Sequence, residues 1–169
     1  MRLLRHFGVA GLVVIAATMA GHAGAVEPSS GIECTVVVEA KTGRQLVRDG
    51  DCDHRLPPMS TFKLPIAIMG YDMGILKSDH DPLWPYRKAY GAPKRARKSV
   101  DPAIWQAESI VWYSQEVTRR LGAEAFARYV TAFGYGNRDV SDRNGRPGLT
   151  ESWLMSSLEI SPAEQVVFL

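Results

Sequence analysis

Pro58-Met59-Ser60-Thr61-Phe62-Lys63-Leu64-Pro65-Ile66-Ala67-Ile68-Met69-Gly70 is the stretch from which the rest of the chain is read. It opens an apolar run, residues 64–75, that predicts a buried helix stopping near Gly74. Ser60 and Lys63 stand at i and i+3, so a helix places them on one face, one turn apart. Ser60 then lies at the positive end of the helix dipole. A hydroxyl with an amine one turn away is what a serine nucleophile and its base require. The spacing alone is weak, since about one chance S-x-x-K is expected in a chain this long. Its weight comes from the surrounding sequence.

Upstream, residues 33–39 and 45–49 read as two strands about the turn Lys41-Thr42-Gly43. A hairpin paired there brings residue 34 opposite residue 50, with residue 52 diagonal on the same face. Cys34 and Cys52, the two cysteines, are therefore expected to form a disulfide worth about 3 kcal/mol. Two free buried thiols are the alternative. Residues 1–25 read as a secretory signal peptide. Arg2 and Arg5 precede an apolar core at residues 7–20, and Ala23-Gly24-Ala25 forms a small-residue cleavage site. A membrane anchor is the rival reading, but the apolar run is shorter than a spanning helix needs. The expectation is a periplasmic protein with no stable membrane association after cleavage. Loss of Arg2 and Arg5 balances basic and acidic residues in the remainder, which gives no argument for nucleic acid. His54 and His80 lack ligand-type neighbours at metal-binding spacing, so no metal and no bound cofactor are expected.

Downstream, residues 77–103 read mostly as loop, and residues 87–98 carry six basic side chains read as solvated. Helices are expected at 108–121, ended by Gly122, and at 123–133, ended by Gly134. Residues 134–137 form a turn, and residues 151–158 return to helical spacing. Ser161-Pro162-Ala163-Glu164 is a capping box with proline at the first helical position. Val166-Val167-Phe168-Leu169 follows at once, and the chain is expected to be cut short at its C-terminus.

Three motifs now stand in order: Ser60-Thr61-Phe62-Lys63, Ser109-Ile110-Val111 and Tyr135-Gly136-Asn137. With Trp153 and the run from Leu149-Thr150-Glu151-Ser152-Trp153 to Ile160-Ser161-Pro162-Ala163-Glu164-Gln165, the sequence resembles the class D β-lactamases from about residue 32 to 169. The resemblance implies an α+β fold, the α/β/α sandwich of serine β-lactamases and transpeptidases. Only the N-terminal strands (about 33–49) and the helical lobe (about 60–169) of that domain would lie within residues 26–169. It implies β-lactam small molecules as substrates, Ser60 as nucleophile and Lys63 as general base carrying CO₂ as a carbamate. Ser109 would relay a proton to the leaving nitrogen. Val111 would supply part of a dry wall, and Trp153 would donate its indole N–H to the carbamate. Tyr135 and Asn137 would shape the pocket rim and the loop behind it. The Ser60 backbone N–H would form half of an oxyanion hole.

The sequence departs from the family at Met59, where a small residue is usual and a crowded pocket floor is expected. The family's Lys-Thr-Gly strand follows its Tyr-Gly-Asn turn. Lys41-Thr42-Gly43 precedes Ser60 and is the hairpin turn instead, so the strand would lie beyond Leu169. The expected activity is penicillin hydrolysis through an acyl-serine, conferring antibiotic resistance. The 169-residue chain itself is expected to be inactive and prone to aggregate. The alternatives are a penicillin-binding transpeptidase, a penicillin-sensor domain or a non-catalytic truncated product.

Overall fold

Strand β1 (Cys34–Val38) pairs antiparallel with β2 (Gln45–Gly50), Cys34 facing Gly50 and Val36 facing Arg48. These positions come from a computed structural model that describes residues 31–169; the signal-peptide reading of residues 1–25 lies outside the described residues. The turn closes through Glu39 N–H to Arg44 O at 2.9 Å and Gly43 N–H to Glu39 O at 2.9 Å. Gly43 adopts φ +69°, a left-handed conformation that explains glycine there. Gly50 is required sterically as well, because a Cβ would fall 2.1 Å from the Glu33 carbonyl oxygen. Beyond it the chain turns inward, and Cys52 is joined to Cys34 with their Cα atoms 5.1 Å apart. Replacing both cysteines by serine should lower unfolding stability by about 3 kcal/mol. Non-reducing mass spectrometry and thermal unfolding check this, and two alkylatable thiols in folded protein would contradict it.

The Ser60 segment begins as a 3₁₀ turn, Met59–Phe62, and runs into α1 (Lys63–Asp72). Phe62, Ile66 and Met69 are fully buried, so one face enters the core. The helix is not buried all round, contrary to the sequence reading. Leu64, Ile68 and Tyr71 form a partly exposed stripe at helical spacing. Gly70 marks the close face: a Cβ would sit 2.8 Å from the Leu76 side chain and 3.2 Å from that of Val117.

The helix expected at 108–121 is two helices. α2 (Pro102–Glu108) starts in the segment read as loop, N-capped by Asp101, whose carboxylate accepts the Ile104 N–H at 2.8 Å. Ser109 ends it in a left-handed conformation, φ +54°, and Ile110 precedes α3 (Val111–Leu121). α3 carries the buried Trp112, Tyr113, Val117 and Leu121 into the core. α4 (Ala123–Ala132) adds Phe126 and Val130. Residues 151–158 are not a helix. A single turn, α5 (Gly148–Glu151), gives way to irregular chain in which Met155 has φ +55°. Helical spacing is overridden there because this chain is laced to the Ser60 segment. Met59 N–H donates to Trp153 O at 3.0 Å, and Leu56 and Ile160 exchange backbone hydrogen bonds at 3.1 and 2.9 Å.

α6 (Pro162–Phe168) carries the reciprocal capping box, Ser161 Oγ accepting the Glu164 N–H and Glu164 accepting the Ser161 N–H. It packs on β1. Arg55 donates to both carboxylate oxygens of Glu164, at 2.5 Å from Nη2 and 3.0 Å from Nε. These bonds, and those from Ser161, hold the Glu164 carboxyl down to about 2. A carboxylate lowered on folding stabilises above its unfolded pKa, and that contribution fades as pH falls through the folded value. Glu164→Gln should therefore cost roughly 1 kcal/mol at pH 7, discounted for partial exposure. The difference from wild type should vanish as pH falls from about 4.5 to about 2. Thermal unfolding as a function of pH measures both.

Candidate active site

Phe62, one of the two unnamed positions inside the S-x-x-K motif, anchors the site. Its ring stacks on Trp153 at 5.5 Å and meets Tyr135 edge-on at 5.0 Å and Phe126 at 6.0 Å. Each such pair contributes about 0.5–1.5 kcal/mol beyond burial. The 3₁₀ turn is thereby pinned from within by Phe62 and from outside by the Met59–Trp153 backbone bond. Ser60 is left exposed between them. Met59 takes φ +51°, a left-handed conformation that costs a non-glycine residue of order 1 kcal/mol or more and persists only where surroundings impose it. Met59 is 41% exposed, so it stands outside the core beside Ser60.

Ser60 Oγ lies 2.8 Å from Ser109 Oγ, 49 residues further along the chain. The two motifs therefore meet. The sequence reading placed Ser109 at the start of a helix. The structure places it at the C-terminal cap of α2, where the left-handed backbone turns its hydroxyl toward Ser60.

Lys63 is half-buried one turn beyond Ser60. Its Nζ donates to the Gln106 carbonyl at 2.8 Å, and Gln106 Nε2 returns to the Lys63 carbonyl at 3.4 Å. This reciprocal bridge ties α1 to the last turn of α2 and so fixes the spacing between Ser60 and Ser109. Desolvation lowers the Lys63 pKa, raising the fraction of free amine. Nothing in the sequence marked Gln106, because its role runs through a main-chain carbonyl that any residue supplies.

Val111 lines a surface cavity together with Ser109 and Ile110, whereas Tyr135 lies in the core. Val111 is 42% exposed, and Ile110 beside it is the buried residue. Helical phase decides this: α3 turns Trp112, Tyr113 and Val117 inward and leaves Val111 on the outer face. Tyr135 is fully buried in the aromatic cluster, not on a rim. Its hydroxyl donates to Gln165 Oε1 at 2.9 Å, and burial pushes its pKa up to about 12. Asn137 is the organiser of the loop behind. Its Nδ2 donates to Ser157 O at 2.8 Å, and its Oδ1 accepts from the Glu159 and Asp139 amides at 3.0 and 3.1 Å. Gly136 permits this approach, since a Cβ there would lie 1.9 Å from the Glu159 carbonyl oxygen. Trp153 is buried against Phe62 and Phe126.

Comparison with known proteins agrees with this geometry. A family described as "Penicillin binding protein transpeptidase domain" matches residues 33–169. Beta-lactamase OXA-9 of Klebsiella pneumoniae is 48% identical over 161 residues, which cover 94% of this chain and 59% of the relative. Beta-lactamase OXA-1 of Escherichia coli is 34% identical over 139 residues, covering 80% and 50%. The chain thus spans little more than half the length of these curated relatives. Among solved structures, the OXA-427 class D β-lactamase superposes with a TM-score of 0.70 at 45% identity, covering 75% of this chain and 53% of that one. The C-terminal domain of the Bacillus licheniformis BlaR penicillin-receptor gives 0.61 at 28% identity, covering 69% and 45%. An exposed serine hydroxyl braced by a second serine, with a half-buried lysine one turn on, is thus found in a chain similar to class D β-lactamases, and the chain belongs to the penicillin-binding protein transpeptidase domain family.

Proposed function

We propose that a domain of the relatives' full length carrying these residues hydrolyses β-lactam antibiotics of the penicillin type through an acyl-serine on Ser60, and so confers resistance. The observation that carries this is the 2.8 Å approach of the Ser60 and Ser109 hydroxyls, with Lys63 one turn after Ser60 at the start of α1. Ser60 Oγ attacks the lactam carbonyl as Lys63 takes its proton, and Ser109 hands a proton to the departing lactam nitrogen. Ring opening leaves an ester on Ser60, and water attacking that ester with Lys63 again as base restores the serine. The Ser60 backbone N–H stabilises the oxyanion in both halves.

A lysine ammonium is a poor base at neutral pH, and CO₂ bound to Lys63 as a carboxylate would supply a better one. The residues fit such a group. Desolvation favours the free amine that CO₂ needs, and a carboxylated nitrogen keeps one N–H for the Gln106 carbonyl. Lys63 would hold it, with the Trp153 indole as its hydrogen-bond donor.

The disulfide supports an exported, periplasmic location, since such bonds persist in oxidising compartments. Chromogenic β-lactam hydrolysis with and without added bicarbonate tests the reading. Activity should rise with bicarbonate and fall at acid pH as Lys63 protonates. Hydrolysis insensitive to bicarbonate would remove the carboxylated lysine from the scheme.

A further inference from the structure

We propose that the cavity beside Ser109 is a specificity pocket for the acyl side chain of the β-lactam, and that Arg95 selects side chains bearing an anionic substituent. This inference rests on the hydrolytic reading above. The cavity holds about 310 Å³ between residues 90–96 and residues 109–115. That size is at the lower end for small-ligand sites and accommodates a substituted aromatic ring. Ser109 belongs to both cavity and reaction site, so a molecule acylating Ser60 passes within reach of it.

The walls are built before any ligand arrives. The Tyr90 ring lies parallel to that of Trp112, 4.9 Å away with 6° between planes. Trp112 is itself fixed by its indole N–H, which donates to the Ala96 carbonyl at 2.8 Å. Ile110 gives a buried apolar surface beside it. Such a lining matches an aromatic group. In a penicillin the acyl side chain is the part that carries one, while the fused rings are non-aromatic.

Arg95 is the one charged residue lining this cavity. Its Nη1 donates to the Glu108 carbonyl at 3.1 Å, which holds the guanidinium next to Ser109 and leaves further N–H donors for a ligand. The surrounding charges reinforce it. Arg87, Lys88, Lys94, Arg97 and Lys98 share the segment, and the acid bonded to them there is Glu108, 2.6 Å from Lys98. A rigid aromatic wall with a cation at its edge selects a group that is both aromatic and anionic.

Benzylpenicillin and α-carboxybenzylpenicillin differ by one side-chain carboxylate and so isolate the effect. In the full-length protein, Arg95→Gln should lower the ratio of kcat/KM for the carboxylated over the plain penicillin by about fivefold, chiefly through KM. Benzylpenicillin itself should change by less than about twofold. Arg95→Lys should retain most of the preference, and added salt should reduce it in the wild type but not in Arg95→Gln. A ratio unchanged in Arg95→Gln overturns the proposal. An equal loss on both penicillins also overturns it, because Arg95 would then only hold the Glu108–Ser109 segment. Failure of the wild type to hydrolyse either penicillin instead overturns the hydrolytic reading on which the pocket depends.

Discussion

Ser60→Gly should reduce penicillin turnover by about 10⁴-fold or more, to below detection in a chromogenic assay. The hydroxyl removed is the one that meets Ser109, and no neighbour replaces it. Thr61 is adjacent, but its hydroxyl donates back to the Pro58 carbonyl at 2.7 Å and is committed to closing the 3₁₀ turn. Ser109 stands at the end of a different helix, and removal of Ser60 takes away its hydrogen-bond partner without moving its hydroxyl onto the Ser60 position. The fold should survive. Ser60 is exposed, and the turn is held by Phe62 within and Trp153 O outside, so the substitution should cost only about 1 kcal/mol. Intact-mass measurement after incubation with benzylpenicillin gives the second readout: wild type should gain the mass of the penicillin and Ser60→Gly should not. Undiminished hydrolysis by a folded Ser60→Gly protein would remove Ser60 as nucleophile.

The hairpin, its disulfide and the α6 capping box were legible in the sequence because each rests on local chemistry. Gly43 sets the turn, the register then fixes where Cys34 and Cys52 fall, and Ser161 with Glu164 closes a box within four residues. The Ser60–Ser109 meeting was legible only through family resemblance, since nothing within either motif encodes a contact across 49 residues. What was misread depends on tertiary context. The break at Ser109 has no glycine or proline to announce it; a serine takes the left-handed cap, with its hydroxyl facing Ser60. Residues 151–158 have helical spacing, yet their backbone groups find partners in residues 56 and 59 and in Asn137. Tyr135 was assigned to the pocket rim by motif position, and the aromatic cluster buries it.

Trp153→Ala should both destabilise the protein and strip the base of its environment. Deleting a buried tryptophan commonly costs about 3–5 kcal/mol. Here the lost ring also leaves Phe62, Phe126 and the 3₁₀ turn without their facing surface. A large fall in thermal stability alone would therefore show only that Trp153 is core. Trp153→Phe separates the two roles, because it keeps most of the aromatic contact with Phe62 while removing the indole N–H. It should retain most of the stability. On the proposed role, loss of the indole donor weakens the carboxylated form of Lys63, so more CO₂ is needed to hold it. The acid limb of the pH–rate profile should then move to higher pH, and activity should come to depend on added bicarbonate more steeply than in wild type. Hydrolysis by the two proteins should converge at high pH and high bicarbonate, where the amine is free and CO₂ is in excess. A stable Trp153→Phe protein that keeps wild-type activity, pH profile and bicarbonate response would confine Trp153 to packing behind Ser60, and would leave Lys63 to act as base without it.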